Sequence, residues 1–337
     1  MVGLARDTTA GGIRMKSIAQ HIAEGIRTLG DLQEALQTAM QLEFSTIPPY
    51  LCAQWSIDVD PANFAGTLTN LVIQEMNHFA LAGNMLTAIG GQPAVNNAAF
   101  IPRYPTHTLP GGIHLKHAVD LRPLSPAQVA VFMEIEKPEF RPVGVALAAR
   151  PQTIGAFYDT IAAGFETVKP PIEANAPFIT ITEVNDFHTN ISDPPGGRIT
   201  SVADAQAAVA RIKREGEGTG GDPDQPPDDV TDGEQFAHYY VFKQVYEGRA
   251  LQKNAAGHWA FIGPEIQFPT VYGFTRSTTS PNPSRAFSQA LTALLNAVET
   301  CWTPGGNQPP FAAMEQLKSL GTVLIQAGNA PEFVWSP

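Results

Sequence analysis

Glu75 and His78 are three residues apart in the segment LVIQEMNHFALAGNMLTAIGG, which covers residues 71–91. At this spacing, both side chains lie on one face of an α-helix. The apolar residues around them recur at helical spacing, and the pair falls on the same stripe. A carboxylate and an imidazole on a buried helix face need polar partners. Glu-x-x-His pairs supply such groups to metal ions in helical bundles, so metal coordination is the chemistry that this pair suggests.

Two further polar residues fall on apolar helix faces. Glu43 lies one turn after the stripe formed by Leu32, Leu36 and Ala39, and His238 shares a face with the apolar residues that follow it. Carboxylates and imidazoles that converge on one core are most simply satisfied by a metal ion. The matching template is the carboxylate-bridged dimetal site, with Glu residues from two helices and Glu-x-x-His pairs from the others. The sequence contains only one Glu-x-x-His pair.

Each residue also has a simpler interpretation. A single Glu-x-x-His pair occurs by chance in many sequences, and Glu43 could be a surface residue. His238, next to two tyrosines, could be a core histidine with an ordinary hydrogen-bond partner. The metal hypothesis therefore depends on the three positions occurring together.

The composition excludes several classes of function. The chain has 337 residues and a net charge of −11, which argues against nucleic acid or an anionic membrane as the main partner. Its two cysteines, Cys52 and Cys301, are far apart, so neither a disulfide framework nor a thiolate zinc site is expected. We find no signal peptide and no membrane-spanning run, which favours a cytoplasmic protein with a small-molecule partner.

A series of helices must position these residues. The first predicted helix begins at Asp31, with Glu34 in the capping-box position, and is interrupted by Pro48-Pro49. The second carries the Glu-x-x-His pair and ends at Gly90-Gly91. Further helices are predicted in residues 125–139 (capped by Ser125), 153–168, 201–218 and 232–248, with a last helical pair in 283–328.

Long segments rich in proline and glycine connect the helices. They cover residues 91–124, 168–200, 218–232 and 251–282, and residues 177–184 could form a short strand. We predict a mobile loop at 216–229, and we expect 91–124 or 168–200 to cover the metal end of the helices. The economical interpretation is an all-α domain at residues 29–337 after an N-terminal extension at residues 1–28.

Several motifs occur together in an order typical of one known family. They are ALQTAMQLEFSTIPPYLCAQWSI, QEMNHFALAGNMLTAIGGQP, IEKPE, TIGAFYDTI, REGEGTG and AHYYVFKQVYEG. With the C-terminal part, they resemble the ferritin-like domain of the iminophenyl-pyruvate dimer synthase family over about residues 30–335. The resemblance implies a ferritin-like four-helix bundle with long loops, extra C-terminal helices and a non-haem metal centre. The namesake enzymes, which are much longer, oxidatively couple two amino-acid-derived imines on the way to bisindole pigments.

The resemblance also implies a ligand set. Carried over position by position, the implied metal ligands are Glu43, Glu75, His78, Glu136, Glu217 and His238. Two iron ions are the expected cofactor, with manganese or a single ion as alternatives. Tyr50, Tyr239 and Tyr240 are candidates for roles next to the metal.

Two classes of function follow from these expectations. The first is a ferritin-like non-haem, di-iron oxidoreductase that acts on a small organic substrate, for example an amino-acid-derived one in secondary metabolism. The second is a non-catalytic metal-binding or structural protein with the same helices. Neither class requires a nucleic acid or a membrane, and a homo-oligomer is compatible with both.

Overall fold

The computed structural model describes residues 15–138, 153–181, 194–216 and 236–337. Within these residues the chain is rich in helices and also contains two antiparallel β-hairpins, so the all-α prediction needs a correction. The helices are α1 (Ile18–Glu24), α2 (Leu29–Trp55), α3 (Phe64–Ala88), α4 (Pro126–Ile135), α5 (Ile154–Val168), α6 (Val202–Glu215), α7 (His238–Glu247), α8 (Arg285–Thr300) and α9 (Phe311–Gln326). The strands are β1 (Thr106–Leu109), β2 (Ile113–Val119), β3 (Arg249–Lys253) and β4 (Trp259–Glu265), paired as β1–β2 and β3–β4.

Helices α2 and α3 are long antiparallel neighbours. The Gln54 side chain near the end of α2 donates to the Ala65 carbonyl at the start of α3 (3.2 Å). Near the opposite ends, the Gln33 side chain donates to the Ile89 carbonyl (3.1 Å). Their apolar stripes face each other and form the centre of the hydrophobic core. As predicted, α3 ends just before Gly90-Gly91, and the Gly90 amide donates back to the Thr87 carbonyl (3.0 Å).

Helix α2 begins two residues earlier than predicted. Thr28 is its N-cap, and its hydroxyl oxygen accepts a hydrogen bond from the Asp31 amide (3.1 Å). Asp31 lies inside the first turn, where its charge is favourable for the helix dipole. The Glu34 carboxylate accepts from the Lys16 amide, so the predicted capping box at Asp31 and Glu34 is wrong.

Pro48 and Pro49 lie within α2 and do not interrupt it. A proline at position 49 has no N–H to donate to the carbonyl of Ser45. The hydroxyl group of Tyr104, from the segment that precedes β1, donates to that carbonyl instead (2.7 Å). A residue distant in sequence therefore supplies the hydrogen bond that the proline removes, and the helix continues.

We expect Tyr104→Phe to reduce the free energy of unfolding by about 1–3 kcal/mol, because it leaves a buried carbonyl without its donor. Urea unfolding of the metal-free protein measures this change. Tyr246→Phe is the matched control, since Tyr246 is 51% exposed and its hydroxyl group can be solvated. An equal effect of both substitutions would contradict the role of Tyr104.

Shorter helices complete the surroundings of α2 and α3. Helix α4, capped by Ser125 as predicted, packs against α7, and α5 packs against α6. Helix α5 also contacts α2, and α6 contacts α3. In α1, Ile18 and Ile22 are buried in the same core as α2. The domain boundary after residue 28 stays a prediction.

The C-terminal helices are held against the long helices by close contacts between glycine and tryptophan. A Cβ atom at Gly83 of α3 would lie 2.3 Å from an indole carbon of Trp302. Likewise, a Cβ atom at Gly321 of α9 would lie 2.2 Å from the ring of Trp55. The Trp302 indole N–H donates to the Asn84 side chain (2.9 Å). Both glycines are thus required for the approach of an aromatic ring.

Some predicted segments are only partly described. Residues 177–181 contain no strand, and residues 182–184 lie outside the described ranges. The predicted mobile loop at 216–229 is described only at Gly216. Among the residues that the structure describes, no helix is long and apolar enough to span a membrane.

Candidate metal centre

Five of the six sequence-predicted ligands come together between the helices. Glu43 lies in α2, Glu75 and His78 lie in α3, Glu136 directly follows α4, and His238 is the first residue of α7. Each of the five is at most 5% exposed. The sixth predicted ligand, Glu217, lies outside the described residues.

The first of two polar groups contains Glu43, Glu75 and His78, whose ligand atoms all lie within 4.8 Å of one another. The His78 Nδ1 atom is 3.5 Å from a Glu43 carboxylate oxygen and 3.9 Å from a Glu75 oxygen. These separations leave room for an ion between the three side chains. Carboxylate oxygen and imidazole nitrogen are ligands that suit iron, manganese and zinc.

The second group contains Glu75, Glu136 and His238, so Glu75 belongs to both. The His238 Nδ1 atom is 2.8 Å from a Glu75 oxygen and 3.6 Å from a Glu136 oxygen. Despite the short distance, this buried nitrogen makes no hydrogen bond of acceptable geometry. A buried polar atom of this kind needs a partner, and a metal ion between the carboxylates would supply one. The two groups therefore fit a pair of ions that share Glu75.

Hydroxyl groups hold the carboxylates in place. Tyr158 of α5 donates to Glu43, and Tyr50 of α2 donates to Glu136. The Thr46 hydroxyl lies 2.8 Å from a Glu75 oxygen. The sequence analysis named Tyr50 as a candidate for a role next to the metal, but it did not name Tyr158. The position of Tyr158 on the apolar face of α5 could have indicated that its hydroxyl group is buried.

The other two sequence candidates directly follow His238 in α7. Tyr239 and Tyr240 belong to a separate apolar cluster with Leu251 of β3 and Trp259 of β4.

Both imidazole rings are also held at their Nε2 atoms. The His78 Nε2 atom lies 2.9 Å from a carboxylate oxygen of Glu215, at the end of α6, and the other Glu215 oxygen accepts from Arg211 (2.8 Å). The His238 Nε2 atom lies 2.8 Å from the side-chain oxygen of Gln74. Sequence reasoning missed these contacts. The signal was present in α6, where Arg211 and Glu215 continue the stripe of Ala208.

The close packing of charges shifts several pKa values. Burial, followed by the charge of Glu136, raises the pKa of Glu75 to about 7. Burial lowers the pKa of His78, but the hydrogen bonds to Glu215 and Glu43 outweigh it and raise that pKa to about 10. In the same way, Glu136 and Glu75 outweigh burial and raise the pKa of His238 to about 9. Without a metal ion, both imidazoles therefore hold a proton at neutral pH.

Metal binding is expected to release about two to three protons at pH 7, because each Nδ1 atom must lose its proton and Glu75, with a pKa of about 7, is partly protonated in the metal-free protein. The apparent affinity should therefore rise as the pH increases from 6 to 8. Calorimetric titration in buffers of different ionisation enthalpy measures the proton release. An affinity that is independent of pH over this range would contradict coordination by the two imidazoles.

The free energy of unfolding of the metal-free protein should decrease as the pH rises, in contrast to the metal affinity. The folded pKa values of His78 and His238, about 10 and about 9, lie above the ordinary value of 6.5. Their contribution to the free energy of unfolding is therefore fully present below pH 6.5 and is lost as the pH rises through 9 and 10.

A small cavity adjoins the first group of ligands. Its wall includes Glu43, Glu75, His78 and Glu136, together with apolar side chains of α2, α4, α5 and α6. The volume of about 20 Å³ is enough for one or two water-sized molecules. No described residue of 91–124 or 168–200 lines it, so the prediction that these loops cover the metal end is not supported there.

Comparisons with known proteins agree with this arrangement. A model of a family described as Ferritin-like matches residues 36–247, a range that includes every predicted ligand. A crystal structure described as a ferritin like protein from Caulobacter vibrioides superposes with a TM-score of 0.64 at 21% sequence identity. The match covers 92% of this chain and 99% of that chain, and at this identity it shows the fold alone. No curated protein matches the chain. Because the family model covers more than half of its residues, the chain belongs to the Ferritin-like family.

Proposed function

We propose that this protein binds two iron or manganese ions and acts as an oxidoreductase on a small organic substrate. The observation that carries the proposal is the pair of buried ligand groups that share Glu75, each with a histidine Nδ1 atom directed at carboxylates. Such a centre, when loaded, supplies one-electron chemistry and reactivity toward dioxygen.

The side chains have separate tasks in this proposal. Glu75 lies between the two positions, where it can bridge both ions, while Glu43 and Glu136 each serve one position. Tyr158 and Tyr50 fix the orientation of these two outer carboxylates by donating hydrogen bonds to them. Burial excludes bulk water, so the site would hold its ions in fixed geometry.

The cavity limits what can reach the centre. With a volume of about 20 Å³, it admits water-sized molecules, and the half-buried residues Ile154 and Lys213 form part of its wall. We propose that this substrate is small and amino-acid-derived, as in the secondary metabolism to which the iminophenyl-pyruvate dimer synthases belong. That part of the proposal is supported by the sequence motifs, not by the cavity.

Anaerobic reconstitution with Fe(II), followed by addition of dioxygen, tests the proposed function. We expect about two ions per chain and oxidation of bound Fe(II) well above the rate of free Fe(II) in the same buffer. Dioxygen uptake and the near-ultraviolet absorbance of Fe(III) are the measurements.

The small cavity favours a second candidate, a non-catalytic metal-binding protein. Two bound ions that react no faster than free Fe(II) would support this alternative. Metal content near zero in both aerobic and anaerobic preparations would contradict both candidates.

A further inference from the structure

The two imidazoles point their Nδ1 atoms at the shared Glu75 but differ at the opposite nitrogen. The His78 Nε2 atom faces a carboxylate, that of Glu215, at 2.9 Å. The His238 Nε2 atom faces a neutral amide oxygen, that of Gln74, at 2.8 Å. All four side chains are buried, so these contacts are shielded from water.

This difference changes the strength of the two nitrogen ligands. An imidazole that donates its second N–H to a carboxylate becomes a more basic ligand, and loss of such a partner typically reduces metal affinity about 10- to 100-fold. An amide oxygen carries no net charge and polarises the ring less.

Glu215 cannot coordinate the same ion as His78 in this arrangement. The two ring nitrogens point in divergent directions, with Nδ1 toward Glu43 and Nε2 toward Glu215. Arg211 donates to the other Glu215 oxygen at 2.8 Å. Arg211 compensates the charge of Glu215 and fixes the carboxylate in position, so Glu215 acts on the metal position through its hydrogen bond with His78.

We infer that the two metal positions are inequivalent, and that the position of Glu43 and His78 fills before the position of Glu136 and His238. Glu215 and Gln74 act as positioning residues that set this order through the histidines. The inference rests on the proposed two-ion centre and adds the order in which the two ions bind. The first position would adjoin the cavity, because Glu43 and His78 line it and His238 is not among its lining residues.

Titration of the metal-free protein with Co(II), followed by visible absorbance, tests the order of binding. We expect two steps whose affinities differ by at least about tenfold. Glu215→Gln should weaken the tighter step about 10- to 100-fold, and Gln74→Glu should strengthen the weaker one. His238→Ala should remove the weaker step and keep the tighter one. Glu247→Gln, at an exposed position of α7, is the matched control and should change neither step.

The outcomes separate this inference from the proposed function. Two steps of equal affinity, or a Glu215→Gln effect confined to the weaker step, would overturn the inference and leave the two-ion centre intact. Absence of any Co(II) binding would overturn the centre itself. Circular dichroism of each variant shows whether a loss of binding follows from a loss of helix.

Discussion

Replacing Glu75 with Gln is expected to remove both metal ions, from about two per chain to near zero. Glu75 is the one residue common to the two ligand groups found among the described residues, and its Oε1 atom lies 2.8 Å from His238 Nδ1 and 3.9 Å from His78 Nδ1. Glutamine has nearly the same shape, so the packing is preserved while the anionic bridge is lost. Elemental analysis of protein purified without chelator measures the change.

A comparison of variants makes this prediction specific. Glu136→Gln affects only the second group and should reduce the content to about one ion per chain, while Glu247→Gln, which is exposed, should leave it unchanged. If Glu75→Gln retained two ions with normal affinity, Glu75 would not be a shared ligand. The helical fold should survive in all three variants, because apolar stripes provide most of its stability.

Arg211→Met is expected to reduce the free energy of unfolding of the metal-free protein by about 3–5 kcal/mol. Arg211 is 2% exposed, and its guanidinium donates to the carboxylate of Glu215, which is 8% exposed. The pKa of Glu215 shows the balance: burial raises it, but the contacts with His78 and Arg211 outweigh burial and lower it. Removal of Arg211 therefore leaves a buried charge whose close partner, among the described residues, is His78.

Two further variants test the origin of this effect. Glu215→Gln combined with Arg211→Met should recover much of the lost stability, because no unpaired carboxylate is then buried. Arg214→Met, on the exposed face of the same helix, should cost less than about 1 kcal/mol. Urea unfolding monitored by circular dichroism gives all three values. Equal losses for the Arg211 and Arg214 variants would show that burial of the ion pair is not the cause.

The ligand residues could be predicted because helical periodicity is a local property. Glu43, Glu75, His78 and His238 were identified from their positions on apolar stripes, and the structure buries all four. Glu136 lies inside the predicted helix at residues 125–139, but only the family resemblance indicated it as a ligand, and the structure ends α4 just before it. The structure places it 3.6 Å from His238.

Features that depend on distant residues could not be predicted in this way. The continuation of α2 through Pro49 depends on Tyr104, which is 55 positions away from it in the sequence. The contact of Glu215 with His78 spans 137 positions. The hairpins were missed because their short strands lie in segments whose proline and glycine content indicates loops.

The contact between Gly83 and Trp302 has an evolutionary consequence. A side chain at position 83 and an indole at position 302 would occupy the same space, since a Cβ atom there would lie 2.3 Å from the ring. The two positions should therefore change together among homologues: lineages that keep tryptophan should keep glycine, and lineages that lose the ring should be free to gain a side chain. Gly83 lies on α3, the helix that carries Glu75 and His78, whereas Trp302 lies C-terminal to the residues that the Ferritin-like model matches. Sequence changes in α3 should therefore be correlated with changes in this C-terminal segment.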